Sequence, residues 1–525
     1  MKSKLLGIFV CMLFITATIF PLVGSSEQKE IFIESHKLND NVKWVWMFYQ
    51  NGDNALSNYI DICLDLIEEV GATDDVKIAV LIDKLPLDDT KLYYYEGITA
   101  VEQDWPAESD MSDPETLIQF AEKVIYDFPS DHYCLEITAN KGSGWQGISY
   151  DEHGDLIMMT MPEIHYALDT ITDNGCFKLD VLLLQSCLAG NLEVRYQVRQ
   201  FVNYYVGYAD CGLLGDIPFD SILADVVANP SMSGEQFAID VVNHFTPQQI
   251  QNIYQAMGAT DSLKLDELSE SIDELAVWFI ENFDTYESDI SIALDETRKY
   301  GLQFNIDYFV DLKDFLEHLN IDNTDYIAKK NSILNNIEEA VIANVTLEGY
   351  PSCGFNFYYP NKKEDYNNAL RYDHALPSPY GETIFALDTN WDEFLKIYLD
   401  LEDNTAPAIT SIDGPNEGIP NVEYDYILSA DDPQGDDVCF YIEWGDDTFE
   451  WTNLGLSGEE ITVSHIWEEK GTYTIKVRAI DQYCAKSDWG TFKVTIPRDK
   501  AITLNYLLFR VLERFPLLEK ILNIK

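Results

Sequence analysis

The sequence predicts an α/β domain with a mainly parallel sheet flanked by helices, followed by a small all-β, immunoglobulin-like sandwich. Three observations carry that reading. From residue 42 to about 400, apolar β-rich runs alternate with stretches of helical periodicity, the pattern of strands joined by helical crossovers. Residues 402–407 then read as a linker. From 408 to 497, short alternating strands are separated by Gly, Pro, Asn and Asp turns, as in a β-sandwich. A chain of 525 residues exceeds what one core usually serves, and 46% apolar content supplies more than one.

Residues 1–25 carry Lys2 and Lys4, an uncharged apolar run over 5–20, and the small residues Gly24 and Ser25, which is the build of a secretory signal peptide. A retained anchor is the alternative, because the run sits near the border between a signal core and a membrane span. Either way the bulk of the chain is expected outside the cytoplasm, secreted or at the cell surface. The sequon Asn344-Val345-Thr346 is compatible with export.

Within 26–401, residues 42–49 read as a buried strand ending at Gln50-Asn51-Gly52-Asp53-Asn54, after which Leu56, Ile60, Cys63, Leu64 and Ile67 fall at helical spacing. Residues 76–82 form a second strand and 91–95 an edge strand. Pro114 opens a helix carrying Leu117, Phe120, Ala121 and Ile125. The strands 133–138 and 179–184 each run straight into a short polar segment. Ligands of open α/β sheets bind at such carboxyl ends, so 139–145 and 185–190 are the candidate site loops. Helical periodicity dominates 261–345, and 354–360 gives another apolar strand. Beyond the sandwich, residues 498–525 place Leu504, Leu507, Leu508, Val511, Leu512, Phe515, Leu518 and Leu522 largely on one face of a helix. Charges interrupt it, so it does not span a bilayer; it lies at a membrane interface, docks on a partner or packs on its own protein.

The net charge of -57 excludes nucleic acid, and anionic lipid at long range, as partners of the main body. Of nine cysteines, Cys11 lies in the signal, and the other eight are too sparse for a disulfide scaffold. No C-x-x-C pair exists, so a structural zinc is not expected. Cys439 and Cys484 either pair or stand as two buried thiols.

Certain residues occur in a telling order: Gly52-Asp53-Asn54-Ala55-Leu56, Asp131-His132-Tyr133, Gly142-Ser143-Gly144-Trp145 and Ser186-Cys187-Leu188 with Glu193. Asn229-Pro230, Asp311-Leu312, the run 354–360 and Trp391-Asp392-Glu393-Phe394 follow. Over 42–400 this resembles the clostripain family of cysteine peptidases, relatives of the caspases, and implies a caspase-like fold. The resemblance implies a Cys-His dyad, in which imidazole takes the thiol proton and the thiolate attacks the scissile carbonyl. Cys187 fits the nucleophile. Its setting suits that role independently, since a helix beginning near Leu188 would lower the thiol pKa through its positive terminus. A buried cysteine packing as a small hydrophobe is the plain alternative.

The family's histidine position holds Lys141. A lysine, with a reference pKa near 10.4 against about 6.5 for histidine, does not accept a proton at neutral pH unless burial depresses it strongly, though it can stabilise a thiolate. The family's Asp-Ala-Cys, whose Asp is linked to recognition of Arg or Lys, is here Gln185-Ser186-Cys187. Gln185, Ser186, Gly142, Ser143, Gly144, Trp145 and Asp210 are the candidate substrate-binding residues. His153 is the candidate substitute base, with a solvated turn histidine as the plain reading; His132 belongs at the far end of its strand, and His165 on a helix. No cofactor is expected. Calcium, which the resemblance implies for some members, would fall to loop residues such as Glu152, Asp210 and Asp216, although scattered carboxylates lack an oxygen-ligand motif.

Trp444-Gly445-Asp446-Asp447-Thr448, His465-Ile466-Trp467, Gly471-Thr472-Tyr473 and Ala479-Ile480-Asp481 make the sandwich resemble a polycystic kidney disease (PKD) type domain. That implies an extracellular spacer or binder, with Trp444 and Trp467 as core, Asp446 as a turn residue and weak calcium binding at 432–437. Three functions remain open at this point: an exported cysteine peptidase, an inactive peptidase fold binding an extracellular peptide or protein, and a surface structural component.

Overall fold

A computed structural model describes residues 42–57, 60–138, 145, 147–154, 158–212, 215–250, 253–302, 306–366, 383–401, 404–446, 448–483 and 485–496. The signal segment, the terminal amphipathic segment, Lys141 to Gly144 and Cys484 lie outside these. The chain divides into two compact units. One comprises residues up to Ser271 with Glu296–His318 and Ile327–Tyr358; the other comprises Ile272–Asp295, Leu319–Tyr326 and residues from Tyr359 on.

The first unit is organised by a nine-stranded sheet. Its strands are β1 (Val42–Gly52), β2 (Val76–Lys84), β3 (Lys91–Glu96), β4 (Thr99–Glu102), β5 (Ser130–Thr138), β6 (Leu179–Gln185), β7 (Val202–Tyr208), β8 (Ala256–Asp261) and β9 (Val341–Thr346). Their order is β9-β8-β7-β6-β5-β1-β2-β3-β4. The five central strands, β7 to β2, run parallel. β3 and β4 on one side and β8 and β9 on the other pair antiparallel. The sheet edge on the first side is therefore β4, whereas the sequence places it at 91–95. The apolar run at 354–360 contributes only Phe357–Tyr358, in a separate three-stranded sheet.

Side-chain parity explains the continuous apolar runs of the central strands. Trp44, Trp46 and Phe48 of β1, with Ile78, Val80, Ile82, Val181, Leu183 and Val206, point into one core. Helices α1 (Asp61–Glu68), α5 (Phe219–Ala228) and α6 (Gly234–His244) cover this face through Cys63, Ile67, Phe219, Ile222, Phe237 and Val241. The opposite face meets α2 (Pro114–Asp127), α3 (Met161–Ile171) and α4 (Leu192–Val198), where Tyr49 packs against Phe120 at 6.0 Å. α2 starts where Asp113 accepts a hydrogen bond from the Glu115 N–H and Pro114 occupies the first turn, the position at which a missing N–H costs nothing.

The long helix α7 (Leu265–Glu296) runs through both units; α8 (Leu312–His318) and α9 (Thr324–Ala340) follow it. In the second unit Phe279 packs on Phe394, and Tyr359 meets Trp391 edge to face. The sandwich pairs a three-stranded sheet, Ala408–Asp413, Glu423–Asp431 and Ile461–Ile466, with a four-stranded one, Phe449–Trp451, Val438–Glu443, Gly471–Asp481 and Gly490–Ile496. Trp444 and Trp467 are buried in its core, and His465 stacks on Trp444 at 4.5 Å while binding Asp446. Asp446 also accepts from the Thr448 N–H and hydroxyl, as a turn aspartate does. Asp432 Oδ1 accepts from the Gln434 and Asp436 backbones, closing its own turn.

Candidate active site

The carboxyl ends of β1, β5 and β6 are aligned, with Gln50, Thr138 and Gln185 side by side in register. Cys187 follows two residues later, on a turn over residues 186–190. It is partly exposed, and its Sγ lies 3.8 Å from the Gly212 carbonyl. The helix expected to begin near Leu188 begins instead at Leu192, capped by the Asn191 side chain on the Val194 N–H. Cys187 is therefore not at a helix terminus. Its pKa is lowered all the same, first by hydrogen bonding with Cys211 and also by the Gly212 backbone, against burial and the charges of Asp210 and Asp216. A lowered pKa and partial exposure are what a reactive thiol requires.

Leu188 is fully buried and has φ +60°, a left-handed conformation that costs a branched residue about 1–3 kcal/mol. The surroundings hold it there. The Leu188 N–H donates to the Asp210 carbonyl at 2.8 Å, the Gly190 N–H to the Tyr208 carbonyl at 2.7 Å, and the Ala189 N–H to the Ser186 carbonyl at 3.3 Å. Gly190 is required, because a Cβ there would sit 2.6 Å from the Tyr208 carbonyl.

Asn356, which sequence reasoning did not single out, locks the turn from outside. Its Nδ2 donates to the Leu188 and Ala209 carbonyls, its Oδ1 accepts from Asn191, and its backbone pairs with Leu192 and Gly190. Arg195 was missed as well. It is fully buried with its pKa pulled down to about 10 by burial. Its guanidinium donates to the carbonyls of Gly190, Tyr205, Gly258 and Gly354 and to the Thr260 hydroxyl. An apolar helix interrupted by one arginine, Leu-Glu-Val-Arg-Tyr, was the available signal.

Beneath the turn runs a buried polar chain. Glu136 is pushed up to about 8 by burial, with hydrogen bonds from Thr138 and Gln50 pulling back. Thr138 Oγ1 lies 2.5 Å from Glu136 and 2.7 Å from Gln185 Oε1, yet a hydroxyl has one proton to give. A protonated Glu136 donating to Thr138, which donates to Gln185, satisfies both contacts. The recess beside Gln185 is lined by Gln50, Ile60, Ile62, Cys63, Leu66, Gly215 and Phe219. No carboxylate is among them.

Ser186 is buried beneath the turn, and Asp210 is buried with Oδ1 accepting from the Gly301 N–H. Both brace the loop. Trp145 is buried, edge to face with Tyr358. His153 is anchored elsewhere: its Nδ1 binds Asp53 Oδ2 at 2.7 Å, raising its pKa, at the end of β1 with β5 standing between that strand and β6. His132 bonds Asp180, and His165 the Gln197 carbonyl. Among the described residues, Glu152, Asp210 and Asp216 form no metal-holding group; Asp53, Asp83 and Asp151 do, as do Asp53, Glu108 and His153.

A partly exposed thiol with a lowered pKa thus stands on a braced turn at a parallel-strand end of a caspase-like α/β sheet. The model of the clostripain family matches residues 45–398, and the chain belongs to that family. Clostripain of Hathewaya histolytica is 28% identical over 214 residues, which cover 33% of this chain and 39% of clostripain's own length. An inactive zymogen C11 protease from Parabacteroides distasonis aligns with 62% of this chain and 93% of its own, at 21% identity and a TM-score of 0.45. A secreted C11 cysteine protease from Bacteroides thetaiotaomicron, in complex with an irreversible peptide inhibitor, aligns with 67% of this chain and 99% of its own, at 15% identity and 0.47. A PKD domain of an M14-like peptidase from a Thermoplasmatales archaeon is 42% identical, covering 18% of this chain and 99% of its own, with a TM-score of 0.18. No helix among the described residues is long and apolar enough to cross a membrane.

Proposed function

We propose that this chain is an exported peptide-binding member of the clostripain family, in which Cys187 stands as a reactive thiol while amide bonds are left uncut. One observation carries the reading: a fully braced nucleophile turn coexists with Lys141 at the family's histidine position. Thiolate attack on an amide stalls unless the departing amine receives a proton, and a lysine with an ordinary pKa gives one up poorly near neutrality. The signal segment supports export; the sandwich and residues 498–525 support placement at the cell envelope or a membrane interface.

A working peptidase is the second reading, favoured by the partial exposure and lowered pKa of the Cys187 thiol. The test is cleavage and capture of a mixed peptide library by the mature chain, by Cys187→Ala and by Lys141→His. The expected result is capture without cleavage in the wild type, capture retained in Cys187→Ala, and cleavage gained in Lys141→His. Wild-type cleavage that disappears in Cys187→Ala would overturn the proposal and establish the peptidase.

A further inference from the structure

The segment after β7 runs back alongside the Cys187 turn. The Gly190 N–H donates to the Tyr208 carbonyl and the Leu188 N–H to the Asp210 carbonyl, so each step along one segment matches a step back along the other, as in an antiparallel pair. Continued by one residue, this register sets Cys187 opposite Cys211. Because Leu188 turns left-handed at that step, the side chains have to settle the pairing, and they do. The Cys187 and Cys211 thiols are hydrogen-bonded to each other, and Cys187 Sγ also reaches the Gly212 carbonyl at 3.8 Å. Facing residues between the hydrogen-bonded positions of an antiparallel pair have Cα atoms about 4.5 Å apart, within the roughly 4.4–6.8 Å that a disulfide spans. Both cysteines are reduced thiols here.

The two differ in access. Cys187 is partly exposed, whereas Cys211 has 1% of its surface exposed. A solvent-borne oxidant therefore meets Cys187 first, with the second thiol already against it. That is the arrangement of a peroxide-oxidised cysteine with its resolving partner. The charges of Asp210 and Asp216 bear on the Cys187 thiol, and the whole chain carries -57. Anionic oxidants are repelled by such a field, and uncharged hydrogen peroxide is not.

We infer that Cys187 and Cys211 form a peroxide-oxidised dithiol, in which a reversible disulfide caps the exposed thiol. The Cys187 thiolate attacks one peroxide oxygen and the O–O bond breaks, leaving a sulfenic acid and a hydroxide that takes up the thiol's proton as water. The Cys211 sulfur then attacks Cys187 Sγ; the S–O bond breaks, and the departing hydroxide takes the Cys211 proton as a second water. Two electrons pass from the pair of thiols to one hydrogen peroxide. A dithiol reductant reverses the change by thiol–disulfide exchange. The inference takes from the proposed function only that solvent reaches Cys187, and it holds whether or not Cys187 cuts peptides.

The test is peptide mapping by mass spectrometry, without prior reduction, of the full mature chain carrying Cys176→Ser. Cys176 is exposed and precedes β6, at the far end of that strand from Cys187, and its removal prevents links between chains. The reduced protein is exposed to a graded series of hydrogen peroxide at pH 7 and then alkylated with iodoacetamide. A Cys187–Cys211 linked peptide is expected, with Cys187 alkylation down by about tenfold and restored by dithiothreitol. With Cys211→Ala added, the same series should carry Cys187 on to sulfinic acid, which dithiothreitol does not reverse. Cys187 that stays alkylatable across the series, or turns sulfinic without a linked peptide, would overturn the inference, and so would a link from Cys187 to any other cysteine. Should Cys211→Ala fail to fold, the linked peptide in its folded parent decides alone. The readout is a mass and not an activity, so failure of the cleavage and capture assays leaves it standing.

Discussion

At the carboxyl end of β6 the chain is held by neutral hydrogen bonds gathered around one buried cation: Asn356 and Arg195 together grip the turn after Cys187, and the acid below it, Glu136, is neutralised. At the ends of β1 and β2 there are three buried carboxylates, Asp53, Asp83 and Asp151, which accept from the His153 ring, the Thr90 hydroxyl and the Met111 N–H respectively. The two ends stand in the same sheet, a few strands apart, yet one gathers acceptors around a buried guanidinium and the other gathers acids among donors. The first arrangement fits a site whose geometry is set in advance of any ligand.

Three measurements break or sharpen this contrast. The largest effect is expected from Arg195→Ala, which strips donors from four backbone carbonyls at once: a loss of about 4 kcal/mol in the unfolding of the α/β unit, read by urea denaturation. A loss under about 1 kcal/mol would mean that the turn does not depend on its cation. Next is Glu136→Gln. The folded pKa of Glu136, about 8, is raised above the unfolded 4.5, so its contribution is complete below 4.5 and is lost as pH rises through 8. The variant should therefore gain on the wild type between pH 5 and 8.5, by on the order of 3 kcal/mol, followed as Tm against pH. A constant offset would show that Glu136 is already ionised in the folded state. The smallest is Cys211→Ala: removing the main influence that lowers the Cys187 pKa should slow iodoacetamide labelling of Cys187 at pH 7 by roughly threefold and shift its pH profile upward. An unchanged profile would assign the acidity to the turn itself.

The parallel centre of the sheet was legible because its strands are buried on both faces and read as unbroken apolar runs. The edges were not. β9, Val341–Thr346, directly follows α9 and is only partly buried, so helical periodicity runs into it without a break. The false helix start at Leu188 has a similar cause: Leu188 and Ala189 are apolar because they pack under the turn, while the true cap, Asn191, stood in plain view ahead of Leu192. Cys187 could be singled out because its motif is local. Asn356 acts across 168 positions and leaves no local pattern, and Arg195, whose partners run from Gly190 to Gly354, shows only as a charge within a largely apolar run. The Lys141 substitution was readable from sequence alone and lies outside the described residues.

Asn356 reaches Leu188 across 168 positions of chain. A ribosome adding about 5–20 residues each second delivers it roughly 8 to 34 seconds after the leucine. Over that interval Cys187 belongs to a nascent chain whose turn lacks this clamp. The clamp is therefore completed late, near the end of the α/β region's synthesis, so a fragment ending before Gly354 would carry the turn without the side chain that holds it from outside.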